Sequence, residues 1–507
     1  MAKVTLPISN GFYVSDSLAL SNQRCVNFIP SIPQTDTITQ DNLFFTPGLI
    51  EIVSTGVNKI TRGAHEMAGI PYFVIGNNLY RLNLSIVDNV EIFDFDDLGE
   101  IVGSERVYMS DNGTQLCIVA IPDGITAGKS YIFTDNPDTL AEITDANFDG
   151  PASSVEYING YFTFTKSDGK KFFNSPLNDG LGVYDPLDFS TAEVDPDQLR
   201  AQISYNNALY MIGSQTTQQF RDVGRSPSPF SPTPAVIDVG ITSPQSLKLF
   251  AGSFVFVGAG ALEKPSVWLI DGLTRKKIST IAIDRQLDKL TQKELEDVFA
   301  WTEARGGAFF YGITLPKNCF VYDATNRRWH ERQSSKVTTY DNTEITQYRV
   351  SATVQAYGRV FVGDLQDGRI GVLSDDETLE YGRLITRFVT SRPFDNQGRA
   401  VSVSKIEAVV DAGVGLTNDI NVVTNNTSNG LPITGIGGSD PQITLSWSDD
   451  GGHIFVGNRS RSLGKTGDHK RRPIWLRLGQ FPRSRVLKFE IAAPVKSAIL
   501  KIEANIT

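Results

Sequence analysis

The chain keeps returning to one unit: an alternating aromatic and β-branched strand, a Gly- or Asn-containing turn, and a second strand. The copies are IPYFVIGNNLYRLN (70–83), QLCIVAIPDGITAGKSYIFTD (115–135), VEYINGYFTFTKSDGKKFFNS (155–175), ISYNNALYMIGSQTTQQFRD (203–222), LKLFAGSFVFVGAGALEKPSVWLIDG (247–272), GAFFYGITLPKNCFVYDATNRRWHER (307–332) and VQAYGRVFVGDLQDGRIGVLSDD (354–376). Their starts lie 40–60 residues apart, most near 45. Period-2 alternation closed by Asn-Asn, Asn-Gly and Asp-Gly turns marks antiparallel hairpins. A hairpin pair every 40–45 residues is the pattern of four-stranded propeller blades. The expected fold class is therefore all-β: a β-propeller of six or seven blades, regular or distorted, over residues 55–380. A sandwich series competes, but seven like units are too many for one sandwich.

Three segments break the pattern. RQLDKLTQKELEDVFAWTEARGG (285–307) reads as one amphipathic helix over 285–305. Thr291 and Glu294 form a capping box, Leu295, Val298, Phe299 and Trp301 share a face, and Gly306 and Gly307 end it. RSPSPFSPTPAVIDVGITSP (225–244) is too Pro-rich for a central strand and reads as an extended surface excursion between blades. From about residue 381 the strands lengthen and alternate cleanly, as in SKIEAVVDA, ITLSWS, IWLRLG and RVLKFEIAA, which predicts an antiparallel β-sandwich-like domain over 381–507. The stretch 413–440 reads as a long flexible loop within it, and residues 1–54 as an N-terminal β segment packed on that domain.

Composition narrows the functional classes. A chain of 507 residues exceeds one core. No apolar run approaches the roughly 18 residues of a spanning helix, and the N-terminus lacks the apolar core of a secretory signal. Cys25, Cys117 and Cys319 are few, distant and odd in number, which argues for a reducing site of synthesis without a disulfide framework. The net charge is −10, yet residues 451–507 hold twelve Lys and Arg against three Asp and Glu, so residues 1–450 net −19. Such asymmetry suggests a basic region meant for an acidic partner or a polyanion; a β domain that is basic by chance is the plain alternative.

The individual motifs mostly fail as chemistry. Gly464-Lys465-Thr466 ends like a phosphate-binding loop, but Arg459 stands where its first glycine belongs and Pro473 precludes the helix that should follow. VGAGALEK lacks the third glycine of a dinucleotide fingerprint. SWSDDGGHIF carries Ser448, Asp450, Gly452 and Phe455 at the spacing of the Asp-box turn of sialidase-like propellers, which is a structural turn and not a catalytic one. His65, His330, His453 and His469 are scattered, and EIFDFDDLGE (91–100) lacks calcium-loop spacing and reads as a solvated turn. No metal, cofactor or catalytic residue is therefore assigned. What remains is the basic set Lys465, Lys470, Arg471, Arg472, Arg477, Arg483 and Arg485. It could neutralise phosphates or face an acidic protein; the two readings use the same residues.

The order of segments carries a resemblance. GITSPQSLKLF, then RQLDKLTQKELEDVFAWTEARGG, NCFVYDATNRRWHER, and finally SWSDDGGHIFVGNRSRSLGKTGDHKRRPIWLRLGQFPRSRVLKFEI together resemble the tail-hub or nozzle proteins of short-tailed bacteriophages, the packaged-DNA-stabilisation family. The likeness covers about residues 20–505. It implies a structural virion protein and no enzyme: six copies around an axial channel beneath the portal and its adaptor ring. That ring would retain packaged double-stranded DNA, conduct it without sequence-specific binding, and carry fibres, spikes, a needle or a plug. It would be made in the host bacterial cytoplasm and reside in the virion tail. A glycan-binding or glycan-hydrolysing propeller, sialidase-like or a tail depolymerase, is the enzyme-class alternative; a monomeric propeller scaffold is the third.

Overall fold

A computed structural model describes residues 2–8, 10–33, 42–166, 169–192, 197–338, 344–395, 400–426 and 432–506. The chain forms two compact units, one of residues 51–315 with 349–372, the other of residues 1–50, 316–348 and 373–507.

The first unit is the propeller. Four sheets have four strands each, and their inner strands are Thr61–Met67, Val107–Asp111, Ala152–Ile158 and Leu199–Tyr205. A fifth is built on Ser253–Ala259, with Lys248–Phe250 at its inner edge. The sixth supplies the hairpin Phe299–Arg305 with Ala308–Thr314, and the seventh Val350–Ala356, Arg359–Asp364 and Arg369–Ser374. Inner strands of most successive sheets lie side by side, and Val350–Ala356 returns to lie beside Thr61–Met67; the fourth and fifth sheets share Ile203, Tyr210, Phe254 and Ile270. Seven sheets thus close a ring, one for each sequence repeat. The closure is hydrogen-bonded: the Ser351 hydroxyl donates to the Thr61 carbonyl at 2.5 Å, and the Asp364 N–H donates to the Thr61 hydroxyl at 3.1 Å. Between sheets lie apolar layers, such as Tyr72, Val74 and Leu79 against Leu116, Ile118 and Phe133. The first and seventh sheets share Phe73, Leu82, Val354, Phe361 and Ile370. Asn206 and Asn207, with φ of 49° and 56°, make one of the tight turns that Asn and Gly make accessible.

Three sequence expectations change here. The single helix over 285–305 is two short helices, α1 (Ile281–Asp288) and α2 (Gln292–Glu296), followed by the inner strand Phe299–Arg305. The capping box of Thr291 and Glu294 is present, but it caps only α2. Gly306 and Gly307, at φ of 57° and 77°, turn a hairpin and do not end a helix. The Pro-rich stretch joins the propeller as Phe230–Ile237, the outermost strand of the fourth sheet, where the missing N–H of Pro232 and Pro234 deprives no neighbour. The acidic run is no turn either. Val90–Glu100 is the outer strand of the first sheet, and Arg81 pairs with its Asp96 at 2.8 Å and with Asp138 at 2.8 Å.

The second unit is a sandwich of two sheets. One runs Ile474–Leu476, Val401–Val410, Ile499–Ile506, Asn42–Phe45, Phe28–Ser31, with Ala2–Leu6 also on Ile499–Ile506. The other includes Cys25–Val26, Arg387–Thr390, Ser484–Ile491, Gln442–Ser448 and Val456–Ser462. Their inner faces share one apolar cluster around Phe28, Ile406, Leu445, Trp475, Phe489 and Ile499, as face-to-face sheet packing requires. The stretch expected as a loop contains a hairpin, Ile420–Asn426 with Pro432–Gly437; the rest of its tip lies outside the described residues. All three cysteines are buried, and none of them forms a disulfide.

Candidate functional site: a basic cleft on the sandwich

Val456–Ser462 pairs on one side only, with Gln442–Ser448, so it is an edge strand. It leads through residues 463–473 to Trp475, whose indole is fully buried 5.9 Å from the Phe489 ring and donates to the Arg459 carbonyl at 2.7 Å. That anchor fixes both ends of the basic loop. Gly464 turns it at φ 98°, where a Cβ would meet the Asp468 carbonyl oxygen at 2.8 Å, so only glycine fits. Thr466 donates its hydroxyl to the Gly415 carbonyl at 2.6 Å, and His469 Nδ1 lies 2.9 Å from the Ala412 carbonyl. The Gly-Lys-Thr sequence is thus a tied-down strand connection with no helix after it.

Arg461, Lys470, Arg471 and Arg472 border a cleft of about 400 Å³. They do not contribute equally. Arg461 is committed to the carbonyls of Ile474 and Ser460, both at 2.8 Å. Arg472 bonds Glu407, its Nε at 2.6 Å, and Lys405 approaches the same carboxylate at 2.7 Å. Burial pulls the Glu407 carboxyl upward, but these hydrogen bonds outweigh it and hold it below the ordinary carboxylate range. Lys470 and Arg471 are exposed and make no ion pair among the described residues. Their charge remains available to a partner.

The other sequence candidates lie apart from this cleft. Lys465, Arg477 and Arg483 are exposed. Arg485 is interior, 3 % exposed. Its fork grips Asp449 at 2.6 and 2.8 Å, its third nitrogen donates to the Leu478 carbonyl at 2.7 Å, and it lies 4.8 Å from the Phe481 ring centroid. Such a residue holds the fold and cannot meet a partner. The sequence missed Arg461, which alternation alone marks as sharing a strand face with Arg459.

The Asp-box turn has its expected internal bonds. Ser448 Oγ accepts from the Gly452 N–H at 2.8 Å, and Asp450 accepts from the His453 and Ile454 amides at 2.9 and 3.1 Å. Those bonds, the one from Ser448 first, lower the Asp450 pKa. Phe455 is half-buried. Every Asp450 contact is local, as in a turn clamp. No group of His, Cys, Asp and Glu among the described residues is arranged to hold a metal ion.

Comparison with known proteins converges on one family. The beta-propeller model of bacteriophage P22 Gp10 matches residues 4–378, and the beta-sandwich model of the same protein matches residues 387–507. The tail hub protein gp10 of Salmonella phage P22 is 22% identical over 344 residues, 64% of this chain and 68% of that protein. Solved structures are more distant. The computationally designed Ika8 protein is 11% identical at a TM-score of 0.35, covering 64% of this chain and 99% of its own. The extracellular domain of a hybrid two component system from B. thetaiotaomicron is 10% identical at a TM-score of 0.41, covering 86% of this chain and 57% of its own. With both family models matched in order along nearly the whole length, the chain belongs to the bacteriophage P22 Gp10 family of tail hub proteins.

Proposed function

We propose that this tail hub protein works as a ring of six copies below the portal and its adaptor ring, retaining packaged DNA and forming the channel for its ejection. The match to both Gp10 family models carries the reading. A physical argument supports the ring. Side chains from all seven inner strands fill the propeller's own axis around a cavity of about 160 Å³, far short of the space of a duplex whose major groove alone is about 12 Å wide. DNA would not thread one propeller, so on this reading the conduit lies between copies. The net −19 of residues 1–450 suits a wall that repels DNA and keeps it mobile.

The role is structural, with no catalytic residue assigned. Lys470 and Arg471 of the cleft are proposed to meet an acidic face of the adaptor ring. Fibres, spikes or a plug would attach elsewhere on the ring. Likewise proposed are the domain limits: 1–54 with the C-terminal domain, 55–380 for the propeller and 381–507 for the platform. Two experiments test this. Electron microscopy of the purified chain should show six-fold rings with a central hole; monomers at all concentrations would refute the ring. Lys470→Glu/Arg471→Glu should leave the fold intact and block addition to tail-less particles, and normal addition would overturn the interface.

A further inference from the structure

The propeller axis carries a second set of cations that the hub role does not use. The cavity is bordered by all seven inner strands and by residues that lead into them, among them Arg106, Glu156, Gln245 and Lys248. The Lys248 ammonium makes no hydrogen bond or ion pair among the described residues. The Gln245 side-chain Nε2 is buried without an acceptor. Arg106 places its guanidinium 3.4 Å from the centroid of the Phe299 ring and spends two nitrogens on Ser351, at 3.2 Å to the carbonyl and 3.0 Å to the hydroxyl.

Several other polar walls are already satisfied. Arg62 is committed to the carbonyls of Gly76, Ile101, Val102 and Glu105. His65 sits 2.8 Å from Asp111. Gln202 bonds Thr163 and the Ser154 carbonyl. Glu156 accepts from the Ser204 hydroxyl at 3.0 Å and does not reach Lys248 within ion-pair distance. An ammonium, a guanidinium and an amide, each on a half-buried residue, therefore border one space that bonds neither the ammonium nor the amide, and desolvated donors of this kind are costly unless matched.

We propose that the axial cavity binds a small inorganic oxyanion, of the phosphate or sulfate class, through Lys248, Arg106 and Gln245. Size agrees. The cavity, about 160 Å³, has room for one tetrahedral anion with companion waters. A wider depression of about 700 Å³ shares Arg106, Tyr108, Pro244 and Gln245 with the cavity and gives a route from solvent. Charge agrees as well. Burial first, and Arg106 second, push the Lys248 ammonium down to about 8, while Glu156 only partly offsets them. Burial also pushes the Glu156 carboxyl up to about 7, weakening the one competing anion.

The test is calorimetric titration of the full-length chain with sodium phosphate, sodium sulfate and sodium chloride at matched ionic strength, with thermal melts in parallel. One oxyanion should bind at one site per chain and raise the melting temperature. Lys248→Gln should weaken binding by about tenfold or more, as for a lost charge-assisted hydrogen bond. Gln245→Leu should weaken it by less, and it serves as the variant of record if Lys248→Gln does not fold. Equal responses of wild type and Gln245→Leu, a chloride response matching that of both oxyanions, or no saturable binding would each overturn the site.

Discussion

Lys248 and Arg106 stand inside a ring of seven sheets, while Lys470 and Arg471 stand on a loop against bulk water. The residue types are the same and the energetics are opposite. Enclosed cations polarise their surroundings strongly and must be matched, because the interior dielectric screens them little. Exposed cations cost the fold almost nothing, and their attraction is screened over about 8–10 Å at ordinary salt. The propeller therefore spends its charge on a fixed geometry, and the sandwich keeps its charge available for association.

That contrast can be broken most severely inside the propeller. Arg349 and Asp364 form a nearly fully buried pair at 2.5 Å, with side chains 3 % and 1 % exposed. Arg349→Met should destabilise the chain by about 3–5 kcal/mol in denaturant melts, since it strands a buried carboxylate. In the sandwich, Arg485→Met should cost less, about 2 kcal/mol, because its Asp449 partner is 38 % exposed and can be hydrated. Lys470→Glu/Arg471→Glu should change stability by no more than about 0.5 kcal/mol, yet remove salt-sensitive association with an acidic partner, read by binding at two ionic strengths. A large loss of stability in that variant would erase the distinction between the two regions.

The smallest effect concerns acid. The Glu407 carboxyl is held below its unfolded value of 4.5, so its stabilisation is present above that pH and is lost as pH falls through the folded value. Arg472→Gln should flatten the fall of melting temperature between about pH 5 and pH 3. An unchanged slope would mean that Lys405 alone holds the carboxylate.

The repeats were legible because period-2 alternation with Asn and Gly turns is local, and each repeat corresponds to one sheet of the ring. The strand Phe299–Arg305 was not legible for a non-local reason. Leu295, Val298, Phe299 and Trp301 keep a helical spacing, but Trp301 pairs with Gly312, whose missing Cβ makes room for the indole; a Cβ there would lie 2.3 Å from the ring. Only the partner strand decides that. The basic cleft was legible in Lys470, Arg471 and Arg472 because they are neighbours in sequence. Gln245 and Lys248 are three residues apart beside the fifth sheet, but Arg106 leads into the second, and no short window of sequence contains all three. Arg485 misled for the converse reason: sequence proximity to other cations says nothing about which face of a strand a side chain occupies.

The bond between Ser351 and Thr61 has a consequence in time. It spans 290 residues of chain, which a ribosome making 5–20 residues per second traverses in about 15–60 s. Throughout that interval the first sheet exposes Phe73 and Leu82 without their partners Val354, Phe361 and Ile370. The nascent chain must therefore survive with one apolar face unsealed, and a pause or truncation anywhere before residue 350 leaves an open ring, the form from which aggregates would start.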